Sequence, residues 1–232
     1  MLNRIFAFVL SAALAFAPAI AWAQAANPAP TTYAYGPQGQ PISPIGGGLL
    51  GSYSKSMVSG TIAAGLTGAS PVYSFRYGGT GIAVVRSVKI SMAELTGSAG
   101  GLGNFQMFAA RAFTASDSGG TAGTLTGNTS KLRTSLATTA VSSIQIANTG
   151  TLTAGTRTLD ADPLATLAFA LTTTADTGSL PLTSLYNPSQ AGDYPLELAN
   201  NEGFVIQLTV PATGTEVIAV TVDWEEYSAF TP

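Results

Sequence analysis

From Pro71 to Tyr77 the chain alternates, setting Tyr73, Phe75 and Tyr77 on one side of an extended segment and Val72, Ser74 and Arg76 on the other. Successive side chains of a strand point to opposite faces, so this spacing predicts a strand with its aromatic face packed inward. Gly78 to Gly81 follow as a turn, after which Ile82, Val84, Arg86, Val88 and Ile90 alternate with Ala83, Val85, Ser87, Lys89 and Ser91. The two segments read as a β-hairpin. The same period predicts strands at Phe105–Phe113, Val141–Ala147, Leu164–Thr173, Gly203–Val210 and Glu216–Tyr227. The clearest predicted hairpin joins Phe204–Val210 to Val217–Trp224, because both arms are rich in β-branched residues and Gly214 can take a positive φ between them.

Within Phe105–Phe113 the alternate set Phe105, Met107, Ala109, Arg111 and Phe113 carries most of the bulk. Arg111 breaks an apolar row, which predicts an edge position or an acidic partner, with Asp117 and Glu94 as the choices. Stretches of Gly, Thr, Ser and Ala at 96–104, 114–130 and 148–162 read as long loops. No capped run with a period near 3.6 residues occurs in the body, so no helix is expected there. Eight or so strands on uneven loops predict an all-β fold over residues 53–232, a single antiparallel β-sandwich that is jelly-roll-like in outline.

The N-terminus is of another kind. A single Arg4 precedes an apolar run from Ile5 to Ile20, then Ala21, Trp22, Ala23, Gln24 and Ala25. A basic start, an apolar stretch and a small-x-small site are the form of a secretory signal peptide, here residues 1–25 with cleavage after Ala23 or Ala25. Two alternatives are a retained membrane anchor, for which the run is shorter than the roughly 20 residues that cross a bilayer, and a segment buried in an assembly. Residues 26–52 are dense in proline and glycine and read as a flexible linker, with Tyr33 and Tyr35 as docking side chains.

Charge and composition then remove whole classes of function. The chain has no His and no Cys, and only 9 % of it is charged. A Ser-His-Asp triad, a cysteine nucleophile and thiolate metal sites are excluded. Without a disulfide framework, an exported protein must draw its stability from burial, sheet hydrogen bonds or contacts between copies. Without Arg4, eight scattered basic side chains face twelve acidic ones, and nucleic acid is not an expected partner. A membrane contact is expected only through an uncleaved leader.

Candidate sites are few. Gly97 to Gly103 and Gly119 to Gly127 lack the helix and lysine of a phosphate cradle and read as turns. Asp160 and Asp162 are weak calcium candidates on one loop, with Asp117 or Asp176 able to join them, although paired acids before Pro163 commonly serve as turn residues. Glu94, Glu197, Glu202, Glu216, Glu225 and Glu226 are numerous enough for a glycosidase pair, but nothing in the sequence singles out two of them. Tyr186, Tyr194, Trp224 and Tyr227 are the aromatics that could meet a sugar ring, with core packing the ordinary alternative for each. Asn128-Thr129-Ser130 is a formal glycosylation sequon. No catalytic residue, cofactor or firm metal ligand is assigned, and the expectation is a protein that is not an enzyme.

An ordered series of short segments adds to this. Pro71-Val-Tyr-Ser-Phe-Arg-Tyr, the run from Phe108 through Asp117 to Ala122, Leu125-Thr-Gly-Asn, Lys131-Leu-Arg-Thr-Ser, Leu152 to Asp160 and Leu198-Ala-Asn-Asn-Glu-Gly-Phe-Val-Ile resemble a poorly characterised family encoded in tailed-phage genomes and phage-rich metagenomes, over about residues 52–227. The resemblance implies a virion-associated, β-rich structural protein, such as a head or tail decoration, and carries no catalytic residues. The signal-like leader departs from what a protein assembled in the cytoplasm carries.

Two readings follow. One is a structural protein, in the virion or at a surface, that packs against copies of itself or against a shell. The other is an exported module, periplasmic or extracellular, that is tethered by its linker and presents loops 114–130 and 148–162 to a glycan or a cell-surface partner.

Overall fold

The computed structural model describes residues 49–63, 66, 70–171, 173, 179–188 and 194–228. The leader and residues 26–48 of the expected linker lie outside this set. In chain order the strands are β1 (Leu49–Val58), β2 (Ile62–Ala63), β3 (Ser70–Tyr77), β4 (Ile82–Thr96), β5 (Gly101–Arg111), β6 (Thr121–Ala122) and β7 (Val141–Ile146). They continue as β8 (Thr158–Leu159), β9 (Ala165–Leu171), β10 (Leu180–Tyr186), β11 (Leu196–Leu198), β12 (Glu202–Thr209) and β13 (Thr215–Tyr227). Among the described residues there is no helix, and hence none long and apolar enough to cross a membrane.

Two antiparallel sheets result, as the alternation predicts. The first runs β1-β13-β4-β10, with β11 also on β4 and β2 also on β13. The second runs β6-β7-β3-β12-β5-β8, with β9 also on β5. One buried cluster draws on both sheets, taking Ile218, Val220, Val222 and Trp224 from β13, Tyr73, Phe75 and Tyr77 from β3, and Phe204, Ile206 and Leu208 from β12. Trp224 stacks on Tyr53 at 5.5 Å and meets Phe75 edge-on at 5.3 Å, and Phe75 in turn stacks on Phe204 at 5.1 Å.

Both predicted hairpins are corrected. β3 and β4 lie in different sheets, as do β12 and β13. Turn residues such as Gly214, at φ 105°, specify that the chain reverses but not that the two arms pair. Each arm carries an apolar face. Crossing to the opposite sheet buries both faces against each other, whereas pairing within one sheet would leave them side by side.

The predicted faces are corrected in two places. Along β4 the inward residues are Ala83, Val85, Val88, Ile90 and Met92, because the register with β13 shifts between Asp223 and Trp224. That bulge turns Arg86 and Ser87 outward together. After β5, Ala112 takes φ 48° and breaks the alternation. Phe113 therefore leaves the inter-sheet core and folds onto the outer face of the second sheet, against Ala110 and Val205. Gly203 lies beneath it, where a Cβ would come within 2.0 Å of the Phe75 carbonyl oxygen and 3.0 Å of the Phe113 ring.

β1 begins at Leu49, inside the range expected for the linker. It is the outer strand of its sheet and buries only Gly51, Tyr53 and Met57, so its Ser-rich sequence lacks a full alternation.

Candidate functional site

The two long loops are not free. Ser118 and Thr153 exchange backbone hydrogen bonds at 2.9 and 2.8 Å, and Ala115 O accepts from Thr156 N at 3.1 Å. Across this ladder Arg157 grips Asp117 with two parallel bonds of 2.9 Å, while Gly155 N donates to the same carboxylate at 2.8 Å. The Asp117 side chain is wholly buried and that of Arg157 is 6 % exposed, with its guanidinium 5.7 Å from the Phe113 ring centre. Arg76 anchors the assembly to β3 by donating to Phe113 O, Ser116 Oγ and Asn201 Oδ1. Asn201, left-handed at φ 60°, also bonds the backbones of Tyr77 and Phe113. Loops 114–118 and 153–157 thus form a hydrogen-bonded platform over one end of the second sheet.

Arg111 is exposed at the rim of this platform and pairs with Glu202 at 2.8 Å and Asp160 at 3.4 Å. Its partners are therefore neither Asp117 nor Glu94, the two choices suggested by sequence. Asp160 is engaged by a cation, Asp162 is exposed and Asp117 belongs to Arg157, while Asp176 lies outside the described residues. Among the described residues no three acidic groups gather where a metal ion could sit.

The four aromatic candidates separate. Trp224 is 1 % exposed and offers no face to a ligand. Tyr227 is half-buried, and its hydroxyl donates to Glu225 at 2.7 Å and accepts from Arg86 at 3.1 Å. Burial and the Glu225 carboxylate raise that hydroxyl above its usual 10. Tyr186 and Tyr194 come together with Leu164, Leu185, Asn187 and Pro188 around a shallow pocket of about 260 Å³. The Tyr186 hydroxyl accepts from Leu196 N at 2.7 Å and donates to the Tyr194 carbonyl at 3.4 Å. Tyr194 itself is 86 % exposed. The volume falls below the roughly 300–1,000 Å³ of enclosing small-molecule sites, so the pocket suits contact with a flat ring rather than engulfment. The sequon asparagine, Asn128, is exposed, while Ser130 is buried beside β1.

The carboxylates reveal a feature that sequence reasoning missed. Glu226, 2 % exposed, is held by Thr139 Oγ1, by Ala140 N at 3.0 Å and by the Trp224 indole at 3.1 Å. Glu225 pairs with Arg86 on the outer face. Glu94 and Glu216 are cross-strand partners on β4 and β13, each 3 % exposed. Glu94 accepts from Ser98 N at 2.6 Å, but Glu94 Oε2 and Glu216 Oε1 have no hydrogen-bond partner. Among the described residues no cation pairs with either carboxylate. Burial first, and the Glu94 charge second, push the Glu216 carboxyl from 4.5 up to about 7. The folded state holds this proton more tightly than the unfolded chain does, so the pair weakens the fold as pH rises from about 4.5 through about 7. A rise of that size corresponds to on the order of 3 kcal/mol above pH 8. Glu216→Gln should therefore raise the thermal midpoint by about 6–12 °C at alkaline pH while changing it little near pH 4.5, as read by scanning calorimetry across pH.

No protein-family model matches the chain, and no curated protein matches it.

Proposed function

We propose that this chain is a non-enzymatic structural protein of a phage particle, a head or tail decoration that acts through its surfaces. The observation that carries this reading is the order of the eight principal strands. The orders β1-β13-β4-β10 and β3-β12-β5-β9 support a jelly roll, in which successive strands shuttle between two four-stranded sheets. That architecture recurs in viral shells, and the resemblance of residues 52–227 to phage-encoded proteins points the same way. Sparse charge adds support. On the outer face of the first sheet four of the ions are already matched, Arg86 with Glu225 and Lys89 with Asp223, and Glu197 stands exposed beside them, which leaves few to strip of water on assembly. The signal-like leader fits a segment buried in the assembly or a particle that meets a membrane.

Mass spectrometry of purified particles and of culture supernatant tests the reading. The expected result is peptides from residues 49–228 in the particles, and recovery only as a soluble exported monomer would defeat it.

The exposed Tyr194 beside Tyr186 favours a second reading, an exported glycan-binding module. On that reading Tyr194→Ala lowers affinity for a carbohydrate ligand by about tenfold. On the particle reading the same variant is incorporated at the wild-type level.

A further inference from the structure

The lateral edges of the two sheets are not alike. β1 is covered, since Ser54 N donates to Ser130 O at 2.8 Å and Leu132 N to Ser52 O at 3.2 Å. β6 has only two residues. β10 carries Pro181, and its register with β4 shifts twice. Each of these devices blunts an edge against further pairing.

β9 has none of them. Its seven residues, Ala165-Thr-Leu-Ala-Phe-Ala-Leu171, contain no charge, no proline and no glycine, and pair with β5 without a register shift. Among the described residues no backbone group other than those of β5 hydrogen-bonds to it. Leu167 and Phe169 pack against the core, while Thr166, Ala168 and Ala170 are exposed on the outer face. Exposed leucines flank the strand at both ends, with Leu164 at 44 % just before it and Leu102 at 80 % opposite Ala170. The surrounding face is neutral too. Gly101–Ala110 and Gly203–Thr209 contribute no charged residue, and Arg111, Glu202 and Asp160 collect at the far end.

We propose that β9 is the self-association edge of this protein, joining two copies by antiparallel β9–β9 pairing about a two-fold axis so that the second sheet runs unbroken through both. A two-fold contact sets each residue of the strand against its mirror position in the same sequence, so a charge at or beside the axis would meet its own copy, and β9 carries none. Pairing gives partners to the free amide and carbonyl groups of the edge. It also extends the apolar row of Leu167 and Phe169 on the inner face and the small residues on the outer one. The inference rests on reading the chain as an assembling subunit, and names its partner as a second copy.

Sedimentation velocity of the full chain at micromolar concentrations tests it. The wild type is expected as a dimer. The Thr166→Lys/Ala168→Lys variant is expected as a folded monomer with the far-ultraviolet circular dichroism of the wild type, since both positions are exposed, and its thermal midpoint should no longer depend on protein concentration; Leu182→Lys on β10 is expected to remain a dimer. The chain has no cysteine, so Ala168→Cys gives an independent readout: oxidation should link two copies, while Leu182→Cys should not link. A monomeric wild type, or a dimer that survives both lysines, would overturn the proposal. If the dimer forms but particles lack the protein, the edge assignment stands and the particle reading falls. If particles contain a chain that is monomeric in solution, the reverse holds.

Discussion

Arg157→Met should lower the free energy of unfolding by about 3–5 kcal/mol, the cost of leaving a buried charge without its partner. The Asp117 carboxylate is wholly enclosed and receives two guanidinium bonds and one backbone bond. With Arg157 gone, only Gly155 N remains to compensate it. The loss also removes the cation from the Phe113 ring and loosens the ladder between loops 114–118 and 153–157. Against the roughly 5–15 kcal/mol of a typical domain this is a large fraction, and urea denaturation will report it directly. Asp117→Asn/Arg157→Met should recover most of the loss, because the uncompensated charge is then absent. Such a double-mutant cycle separates the ion pair from the packing of the arginine stem.

Trp224→Ala should cost a comparable amount, about 3–5 kcal/mol, for a different reason. The indole fills the space between Tyr53 and Phe75 near the middle of the sandwich and donates to Glu226. Truncation leaves a cavity lined by rings from both sheets and removes one of the donors that hold a buried carboxylate. Trp224→Phe keeps most of the volume and loses only the donor, so it should cost about 1–2 kcal/mol. Urea midpoints for the two variants will show this ordering. Near-ultraviolet circular dichroism should lose the Trp224 signal in both.

The strands that bury a full face were legible in the sequence. β3, β4, β5, β7, β9, β12 and β13 carry alternating apolar residues near where that period sets them, although β5 already begins at Gly101 and β4 runs on to Thr96, which shortens the stretch 96–104 read as a loop. β1, β10 and β11 were not legible, because Ser-rich Leu49–Val58, Pro181 and a three-residue segment offer too little periodic contrast. Pairing was harder still. The turns at Gly78–Gly81 and Pro211–Gly214 look local, yet the chain crosses between sheets at both, and only the burial of two apolar faces decides that. The backbone ladder of the loop platform was not legible in sequence either, since it joins Thr, Ser, Ala and Gly residues whose side chains are interchangeable. A signal for Asp117 and Arg157 did exist: in a chain so sparing of charge, an acid and a base within two adjoining loops are natural partners. Glu94 and Glu216 could have been found by extending the inward period of β4 and β13 to their ends, where an acid occupies a position that an aliphatic residue would ordinarily fill. Of the aromatic candidates, Trp224 follows the same inward period as Val220 and Val222, whereas Tyr194 stands outside any strand and remains open to a partner.

On the reading proposed above, the protein works by contact, as a subunit packed among others. Cross-linking mass spectrometry on intact particles tests it most directly, using the amines of Lys55, Lys89 and Lys131 as reporters. Cross-links are expected from these lysines to a second copy of the chain or to a neighbouring shell protein at a fixed stoichiometry. Particles with no such cross-links and no peptides of the chain, alongside a monomer free in the medium, would contradict it.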